Sequence, residues 1–490
     1  MTAAREQELL ASLPTGLFIG GEWRESTTGG TFAVHDPSTG EVLAHVADAA
    51  PEDGAAALDA AASAQASWAA TPSRERGEIL RRAFELVTAR ADDFALVMTL
   101  EMGKPLAESR AEVGYGAEFL RWFSEEAPRI SGRYATAPDG RNRLLVAKRP
   151  VGPSLLITPW NFPLAMATRK IAPALAAGCT SVLKPAALTP LTALLFAEVL
   201  REAGVPDGVV NVIPTTRAGA VTGPLIKDAR LRKLSFTGST EVGRRLIADA
   251  ADQVLRVSME LGGNAPFLVF DDADLDAAVD GALIAKLRNG GEACVAANRF
   301  LVHESIVDEF SRRLVERMRE TVNARGTEPA STLGPLVDES TREKVAELVG
   351  GAVEDGARLV LGGVTPEGAG YFYPATVLVD VPQSARILQE EIFGPVAPIT
   401  AFRDEDEAVR LANASEYGLV CFAYTRDLNR ALRLAERLET GMLGLNTGLV
   451  SNPAAPFGGV KQSGLGREGG FEGIDEYLET TYIGISDPFA

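Results

Sequence analysis

The pattern of apolar positions predicts a parallel sheet in the first half of the chain. Five short apolar runs recur at a spacing of roughly 25 residues, at 154–158, 180–184, 209–213, 231–236 and 255–259. Helical stretches separate them, at 162–177, 189–203, 217–227 and 240–252. Strands that alternate with helices in this way are typical of a doubly wound parallel sheet. Such a sheet binds its ligand beyond the carboxyl ends of its strands.

The other segments predict helices, a second α/β unit and two isolated strands. Residues 16–24 predict a hairpin around a Gly-Gly turn, and residues 51–127 have a helical pattern. From residue 265 to about 445, short strands again alternate with helices, at 273–287, 304–323, 340–354, 404–413 and 427–437. Residues 143–149 and 477–485 predict strands with no obvious local partner. We expect these two strands to pair across subunits.

Length and charge narrow the classes of function. A chain of 490 residues is long enough for two or three domains. Its 48 basic and 66 acidic residues give a net charge of −18, which argues against nucleic acid or an anionic membrane as a partner. Residues 1–14 lack the apolar core of a signal peptide, and no apolar run reaches the ~18 residues of a membrane span. A cytoplasmic location is therefore expected.

The cysteines and histidines are few and widely spaced. The three cysteines, Cys179, Cys294 and Cys421, form no CxxC pair, so neither a disulfide framework nor a cysteine zinc site is expected. Only three histidines occur, and none pairs with another at metal-ligand spacing. We expect no metal site. A Cys-His or Ser-His-Asp enzyme would have to draw on these three histidines.

Cys294 is the candidate nucleophile. It lies in residues 289–299 (NGGEACVAANR), where two glycines allow the backbone to approach a substrate closely. Most lone cysteines are small buried side chains, and that interpretation stays open for this segment taken alone.

Two polar residues follow predicted strands and suit catalysis. Glu260 ends the fifth run and precedes two glycines, which places a carboxylate in the crevice as a candidate base. Asn161 lies between Pro159 and Pro163 after the first run, and a rigidly held amide can stabilise an oxyanion. A solvated carboxylate and a plain proline-rich turn are the respective alternatives.

Two further strand ends suit a dinucleotide. Residues 236–243 (FTGSTEVG) join the fourth run to a helix, and glycine, hydroxyls and a helix N-terminus suit a pyrophosphate. Lys184 ends the second run and could reach a ribose or phosphate. Ser239 is equally an ordinary N-cap, and Lys184 could simply face solvent.

Together with these segments, four more motifs match a known family in order and spacing. They are EMGKP at 101–105, GVPDG at 204–208, EIFGP at 391–395 and PFGG at 456–459. The chain resembles the aldehyde dehydrogenase family over nearly its whole length. The resemblance implies a Rossmann-type doubly wound cofactor domain (1–127 and 148–259), an α/β catalytic domain (260–459) and a small β oligomerisation arm (128–147 and 460–490). It also implies a homodimer or homotetramer.

The resemblance assigns roles to the candidate residues. Cys294 is the implied nucleophile, Asn161 and the Cys294 backbone N–H form the oxyanion hole, and Glu260 activates water to hydrolyse a thioester. The presence of Glu260 argues against the CoA-acylating branch. The implied contacts to NADP or NAD are Thr158, Pro159, Trp160, Lys184, Ala187, Gly238, Ser239, Leu261, Glu391 and Phe393.

Within the family, the chain is most similar to the bacterial succinate-semialdehyde dehydrogenases. Arg169, Arg288 and Ser451 match residues that hold the substrate carboxylate in that branch, which implies a small carboxylated aldehyde as substrate. A surface helix arginine and a structural cation are the alternatives for the two arginines. Glutarate semialdehyde or an unfunctionalised aldehyde stays open as substrate. A cofactor-free cysteine hydrolase and a non-catalytic binding protein are more remote.

Three positions depart from the common family pattern. Ala187 stands where many NAD-selective members have a glutamate, so NADP is the expected preference. Glu292 stands where the family usually has glutamine, and an anion there would disfavour a thiolate, so we expect Glu292 to point away or be neutral. Ala296 stands where some relatives have a second cysteine, so a local redox disulfide is not expected.

Overall fold

The computed structural model describes residues 3–489. The first two residues of the predicted cofactor domain and the last residue of the predicted arm lie outside that range. The strands are β1 (Leu17–Ile19), β2 (Glu22–Arg24), β3 (Thr31–His35), β4 (Val42–Ala47), β5 (Arg133–Thr136), β6 (Asn142–Pro150), β7 (Ser154–Ile157), β8 (Ser181–Lys184), β9 (Val210–Val212), β10 (Lys233–Thr237), β11 (Arg256–Glu260), β12 (Ala265–Val269), β13 (Ala297–His303), β14 (Arg358–Leu361), β15 (Thr376–Val379), β16 (Val396–Phe402), β17 (Tyr417–Gly418), β18 (Val420–Tyr424), β19 (Met442–Leu445), β20 (Val460–Lys461), β21 (Gly464–Leu465) and β22 (Leu478–Ser486).

The helices fill the intervals between these strands. They are α1 (Ala3–Ser12), α2 (Pro51–Ala70), α3 (Ser73–Ala89), α4 (Ala91–Met102), α5 (Leu106–Glu126), α6 (Pro163–Ala177), α7 (Leu191–Glu202), α8 (Ala218–Ile226), α9 (Thr240–Ala251), α10 (Leu275–Leu287), α11 (Val307–Met318), α12 (Glu339–Glu354), α13 (Glu405–Asn413), α14 (Leu428–Arg437) and α15 (Glu472–Asp475). Short 3₁₀ turns cover Ala127–Arg129, Arg288–Gly291 and Arg386–Leu388. None of the helices within residues 3–489 is long and apolar enough to cross a membrane.

The first sheet confirms the predicted strand series. Its order is β2-β1-β9-β8-β7-β10-β11-β21, and the five strands from β9 to β11 in that order run parallel. The parallel strand series begins at β7. It continues outward first through β8 and β9 on one side and then through β10 and β11 on the other, as in a doubly wound sheet. The predicted hairpin is also present, since β1 pairs antiparallel with β2 and continues the sheet beyond β9.

Helices cover both faces of this sheet. Leu156 of β7 belongs to one buried apolar cluster, and its neighbours Leu155 and Ile157 belong to another on the opposite face. Every residue of β7, β8 and β10 is accordingly buried. Continuous burial explains why these strands are continuous apolar runs without alternation.

The carboxyl ends of the parallel strands align at one edge. Ile157 is in register with Lys184 on one side and with Phe236 on the other, and Thr237 is in register with Glu260. The winding direction reverses between β8 and β10, on either side of β7. The loop after β7, which carries Asn161, therefore leaves the sheet at the point where such folds bind ligands.

The second α/β unit forms a separate sheet. Its order is β14-β15-β16-β13-β12-β18-β19, with all neighbours parallel except the antiparallel β14 and β15. The loop that carries Cys294 precedes β13. The predicted alternation of strands and helices from 265 to 445 is thus confirmed.

The prediction that residues 143–149 and 477–485 lack a partner within the chain is wrong. They form β6 and β22, which pair antiparallel from Asn142–Ser486 to Pro150–Leu478, and β5 pairs with the other edge of β6. The two strands are too far apart in sequence for their pairing to be read locally. β6 extends past the predicted arm boundary at 147, and β21 of the predicted arm lies in the first sheet. The domain boundaries remain predictions.

Candidate active site

Cys294 lies on a tight loop between α10 and β13. Asn289, Gly290 and Gly291 all have positive φ, at 56°, 63° and 77°, a region that glycine adopts at little cost and asparagine more readily than most residues. A Cβ on Gly263 would overlap the carbonyl oxygen of Cys294, so the loop after Glu260 packs directly against the cysteine. The thiol is partly buried and faces two cavities, whereas Cys179 and Cys421 are fully buried.

The first cavity brings together most of the predicted cofactor contacts. It has a volume of about 230 Å³. Its lining includes the predicted residues Pro159, Trp160, Asn161, Gly238, Ser239, Leu261, Cys294, Glu391 and Phe393. Further lining residues were not predicted: Met166, Thr237, Gly262, Thr341 and Lys344. The predicted strand-end crevice and the thiol therefore share one space.

Among the predicted cofactor-binding and catalytic residues, four do not line this cavity, namely Thr158, Lys184, Ala187 and Glu260, although all but Ala187 lie at strand ends. Thr158 follows β7 and its N–H donates to the carbonyl of Lys184 at 3.2 Å. Ala187 lies three residues beyond Lys184 on a partly exposed turn. Glu260 ends β11.

Lys184 is not the solvated lysine of the alternative interpretation. It is 8% exposed, and its ammonium has no hydrogen-bond or ion-pair partner within residues 3–489. Burial lowers its pKa to about 8. A buried cation without a partner at a strand end is well suited to receive hydroxyl or phosphate oxygens from a ligand.

The N-terminus of α9 opens beside the same cavity. Ser239 is the N-cap and accepts the N–H of Val242 at 3.4 Å, so the ordinary N-cap interpretation is correct. The Thr237 hydroxyl, which lines the cavity, is buried without a hydrogen-bond partner. Free helix amides and an unpartnered hydroxyl together suit an anionic ligand group.

Asn161 is held firmly beside the thiol. Its side-chain Nδ2 donates to the carbonyl of Glu292 at 2.9 Å, and its own carbonyl accepts from Lys104 Nζ at 3.0 Å and from Asn289 Nδ2 at 3.1 Å. An amide nitrogen carries two N–H groups, so one remains free to donate to another acceptor in the cavity.

Glu260 is a buried carboxyl, not a solvated one. It is 2% exposed, and its Oε2 has no hydrogen-bond partner. Burial, followed by the nearby Glu468 carboxylate, raises its pKa well above the usual range, while Arg169, Lys170 and Arg467 act in the opposite direction. Burial therefore favours the neutral form of this carboxyl more than solvent would.

The thiol itself is also held in its neutral form. Burial raises the pKa of Cys294 to about 12; Arg169 opposes this shift, and Glu391 and Glu260 add to it. Glu391 accepts the N–H of Gly263 at 3.1 Å, and burial raises its own pKa to about 7.

The second cavity joins Cys294 to the predicted carboxylate site. It is small, about 10 Å³, and is lined by Tyr115, Phe162, Met166, Arg169, Arg288, Ala293, Cys294, Val295, Ser451 and Phe457. The predicted trio of Arg169, Arg288 and Ser451 therefore faces one space with the thiol. Met166 lines both cavities and lies three residues before Arg169, a helical spacing that could have revealed it.

The two arginines have different partners. Arg169 is buried, forms an ion pair with the buried Glu468, and lies 4.3 Å from the ring centroid of Phe457. Arg288 forms no ion pair or side-chain hydrogen bond within residues 3–489; it lies 5.1 Å from the ring centroid of Phe162 and 5.8 Å from that of Tyr115. Burial raises the pKa of the nearby Glu108 carboxyl, and the charge of Arg288 helps to lower it. Arg169 is therefore not the surface helix arginine of its alternative interpretation, whereas Arg288 stands at the C-terminal end of α10, so its alternative as a structural cation near a helix end stays open. Arg288 is the guanidinium with no carboxylate bound to it.

Glu468 was missed by the sequence analysis. Although burial raises its pKa, the Arg169 and Lys170 cations lower it below the usual range. Lys170 donates to Glu468 at 2.6 Å and to the Ser235 hydroxyl at 2.9 Å. A single acidic residue in a glycine-rich turn has no periodicity, so no local signal identifies it.

Glu292 is oriented as expected for an acidic residue at a position where the family usually has glutamine. Its carboxyl accepts the N–H of Val337 at 3.0 Å, and burial raises its pKa well above the usual range. Burial therefore favours the neutral form of this side chain. Its backbone carbonyl, and not its carboxyl, is the group that contacts Asn161.

Other kinds of site find no support among the described residues. None of the three histidines lines either cavity, so a Cys-His pair is not assembled. Residues 3–489 contain no cluster of three or more histidine, cysteine or acidic residues that could hold a metal ion.

Curated relatives match almost the whole chain. The chain is 64% identical over 91% of its length to all of a succinate-semialdehyde dehydrogenase of Paenarthrobacter nicotinovorans. It is 49% identical over 95% of its length to 97% of the NADP(+) succinate-semialdehyde dehydrogenase GabD of Escherichia coli strain K12. It is also 49% identical over 96% of its length to 97% of a glutarate-semialdehyde dehydrogenase of Pseudomonas putida.

Solved structures agree with the sequence matches. A succinate-semialdehyde dehydrogenase from Burkholderia pseudomallei superposes with a TM-score of 0.96 at 48% identity, covering 97% of this chain and 98% of that one. A betaine aldehyde dehydrogenase from Staphylococcus aureus in complex with NAD+ gives 0.95 at 35% identity, covering 98% and 96%. The sequence profile of the Aldehyde dehydrogenase family matches residues 23–483. The chain belongs to the aldehyde dehydrogenase family.

Proposed function

We propose that this enzyme oxidises succinate semialdehyde to succinate and reduces NADP+ or NAD+. One observation carries the choice of substrate. Arg288 has no carboxylate partner and faces the same small cavity as Ser451 and the Cys294 thiol. A short aldehyde bound at the thiol would place a carboxylate on its far end within reach of that guanidinium. The names of the P. nicotinovorans and E. coli relatives support the same substrate.

Covalent attack is the first chemical step. The Cys294 sulfur releases its proton to solvent and bonds to the aldehyde carbon, and the π electrons of the C=O bond move to the carbonyl oxygen, which becomes the oxyanion of a thiohemiacetal. The free N–H of Asn161 Nδ2 and the backbone N–H of Cys294 are placed to stabilise that charge. When bound, the nicotinamide cofactor supplies the acceptor for the hydride that leaves this carbon, and a thioester remains on Cys294.

Hydrolysis of the thioester requires a base. Glu260 takes a proton from water, whose oxygen then bonds to the thioester carbon, and the Cys294 sulfur leaves with the proton restored. The raised pKa of Glu260 means that the base form becomes more abundant as pH rises above neutrality. Lys170, Arg169 and Glu468 surround this carboxyl and set its charge environment.

The residues present fit a dinucleotide. The unpartnered Lys184 ammonium would hold a ribose hydroxyl or a phosphate, and the unpartnered Thr237 hydroxyl and the N-terminus of α9 at Ser239 would hold the pyrophosphate. Glu391 and Phe393 line the same cavity as Cys294, and Phe393 packs edge-on against Trp160 at 5.5 Å between ring centroids. These residues would position the nicotinamide ring.

The carboxylate end of the substrate is assigned chiefly to Arg288 and Ser451. Arg169 already holds Glu468, so it contributes through the guanidinium atoms that Glu468 leaves free and through its positive charge. A glutarate semialdehyde is the second candidate substrate, since the P. putida relative carries that name. It has one more methylene than succinate semialdehyde, so its carboxylate would lie farther from the thiol when the aldehyde carbon is bound to Cys294.

The function is tested by following reduced nicotinamide in solution. We expect succinate semialdehyde to give a higher kcat/KM than glutarate semialdehyde, and both to exceed a neutral aldehyde of similar length. Equal values for the charged and neutral aldehydes would contradict a carboxylate site. The absence of any aldehyde-dependent reduction would contradict the dehydrogenase activity.

Removing the Arg288 guanidinium should weaken binding of the carboxylate specifically. We expect Arg288→Ala to raise KM for succinate semialdehyde by roughly 10- to 100-fold, because a charge-assisted hydrogen bond contributes about 1.5–3 kcal/mol. Arg288→Lys should give an intermediate value, because lysine keeps the charge but loses the planar fork. The neutral aldehyde is the internal control, and its KM should not rise. An unchanged KM for succinate semialdehyde in Arg288→Ala would show that this pocket is misassigned.

We expect a preference for NADP+, because Ala187 presents no carboxylate to a 2′-phosphate. Ala187→Glu should lower kcat/KM for NADP+ by roughly 10- to 100-fold and leave NAD+ less affected, because like charges repel at short range. Ala187→Gln has nearly the same size without the charge and serves as the control. Steady-state kinetics with both cofactors measure the ratio, and a large NAD+ preference in the unmodified enzyme would refute the assignment.

A homodimer or homotetramer and a cytoplasmic location complete the proposal. The strand β22 leaves one edge of its three-stranded sheet unpaired within residues 3–489, and Tyr482, Ile483 and Ile485 are exposed along it. A long edge strand with exposed apolar side chains favours pairing with another subunit. Three free cysteines agree with a reducing compartment.

A further inference from the structure

A buried ion pair lies behind the loop that carries Asn161. Lys104 follows the C-terminus of α4, and Glu112 lies two turns into α5. Their side chains are each 1% exposed and form an ion pair with each other. Neither residue lines the cavities at Cys294, so neither touches the thiol or the space for the substrate. A buried pair of charges is expensive to desolvate and needs a set of well-placed partners.

The partners of this pair all belong to one short segment. Lys104 Nζ donates to the carbonyl of Asn161 at 3.0 Å and lies 4.5 Å from the ring centroid of Phe162. Glu112 Oε1 accepts the backbone N–H groups of Leu164 at 2.9 Å and Ala165 at 3.1 Å. These are free amides of the first turn of α6, where a carboxylate is favoured. Lys104 therefore binds the chain before Pro163, and Glu112 binds it after Pro163.

The Asn161 side chain depends on how its backbone is held. Its Nδ2 donates to the Glu292 carbonyl, and Asn289 Nδ2 bridges that carbonyl and the carbonyl of Asn161 at 3.1 Å to each. Lys104 supplies the one charged contact to the Asn161 peptide. Moving that peptide would redirect the free N–H that we assign to the oxyanion, and a misplacement of about 1 Å can lower a rate by about 100-fold.

We infer that Lys104 and Glu112 are positioning residues for Asn161, which orient its amide toward the oxyanion of the thiohemiacetal. The inference rests on the proposed covalent mechanism. It predicts that the pair acts through Asn161 and leaves the thiol and the cofactor cavity unchanged. A merely structural pair would instead weaken every property of the site together.

The test is a double-mutant cycle between Lys104 and Asn161. We expect Lys104→Met to lower kcat by roughly 10- to 100-fold with little change in KM. In the Asn161→Ala background the same substitution should lower kcat by less than about 3-fold, because the group that it orients is already absent. Additive effects in the two backgrounds would overturn the inference.

Two further readouts separate positioning from general damage. The rate at which iodoacetamide alkylates Cys294 and the Kd for NADP+ should remain within about 2-fold of the unmodified enzyme in Lys104→Met. A parallel loss of alkylation rate or cofactor affinity would mean that the pair supports the whole site, and the inference would be wrong. These readouts need no aldehyde. The cycle is run with whichever aldehyde the unmodified enzyme oxidises, so a wrong substrate assignment does not affect it.

A second variant and a matched control complete the experiment. If Lys104→Met does not fold, Glu112→Gln enters the same cycle, because glutamine can still accept hydrogen bonds from the amides of Leu164 and Ala165 but no longer holds Lys104 by charge.

Glu101→Gln is the control. Glu101 is equally buried and accepts the N–H groups of Leu191 and Thr192 at the start of α7, a helix that carries no site residue. It should lower the melting temperature but keep kcat. A loss of kcat equal to that of Glu112→Gln would contradict the specific role of the pair.

Discussion

Replacing Cys294 with alanine is expected to lower kcat by about 10⁴-fold or more, because covalent catalysis has no alternative nucleophile in this site. The cofactor cavity does not depend on the thiol, so the Kd for NADP+ should stay nearly unchanged. The measurement is the rate of nicotinamide reduction with succinate semialdehyde, together with cofactor binding followed by fluorescence.

Cys421→Ala is the matched control for this prediction. It removes the same atom from a cysteine that is fully buried in β18, outside both cavities. It should cost some stability but leave kcat within a small factor of the unmodified enzyme. If Cys294→Ala kept a kcat similar to that of Cys421→Ala, the covalent route through a thiohemiacetal would have to be abandoned.

Replacing Glu260 with glutamine should separate the two halves of the reaction. We expect steady-state kcat to fall by roughly 100- to 1000-fold, the range in which a general base acts, because thioester hydrolysis loses its base. Hydride transfer precedes that step, so a burst of reduced nicotinamide approaching one equivalent per site should remain. Rapid mixing measures the burst, and mass spectrometry of the quenched protein should detect the acyl group on Cys294.

The pH dependence offers an independent check on the same residue. Burial raises the pKa of Glu260, so its base form becomes more abundant at a higher pH than that of a solvated carboxyl. We therefore expect kcat of the unmodified enzyme to rise with pH above neutrality and the Glu260→Gln variant to lose that rise. The pKa of the Cys294 thiol is also raised. The effect of thiol ionisation is therefore measured separately, as the pH dependence of the burst rate. A variant without a burst, or with an unaltered pH profile, would argue against Glu260 as the hydrolytic base.

Glu468 is a useful control for the charge environment. The Glu468 carboxylate raises the pKa of Glu260 directly. It also neutralises Arg169 and Lys170, two cations that lower the pKa of Glu260. Glu468→Gln removes the anion and frees the cations, and both effects favour ionised Glu260. The rise of kcat should then move to lower pH.

The acidic neighbour and the missing second cysteine now have a structural context. The Glu292 carboxyl accepts the backbone N–H of Val337, and burial raises its pKa and so favours its neutral form. Glu292 contributes its backbone carbonyl to hold Asn161. Ala296 leaves the thiol without a neighbouring cysteine, and Cys179 and Cys421 are buried elsewhere.

The edge of the first sheet at which the candidate site lies was largely predictable, because it follows from the local pattern of apolar residues. Continuous apolar runs show which strands are buried on both faces, and parallel strands bring their carboxyl ends to one edge. Asn161, Lys184, Ser239 and Glu260 each follow or end such a run, so their approach to one another could be inferred before any contact was known. Family motifs then added Cys294 and the carboxylate trio, whose roles remain proposals.

Contacts between distant segments could not be inferred in the same way. The pairing of β6 with β22 depends on two strands that carry no signal for each other, and each alone suggested an unpaired edge. Glu468 lies 298 positions from Lys170, and its ion pair with Arg169 decides which arginine is free for a substrate. The anchoring of Asn161 by Lys104 likewise depends on a turn 57 positions earlier in the chain.

The sequence therefore determined the strand series and the edge at which the polar residues gather, because periodicity and chain direction are local properties. Cys294 was identified through the family motifs, and its role as the nucleophile is a proposal. The tertiary structure alone decided the partner of each buried charge: Glu468 for Arg169, Glu112 for Lys104, and none for Arg288 and Lys184 among the described residues. The physical reason why buried charges take partners from distant segments is desolvation. A charge removed from water must find its partner wherever the fold places one, and sequence separation carries no information about that place.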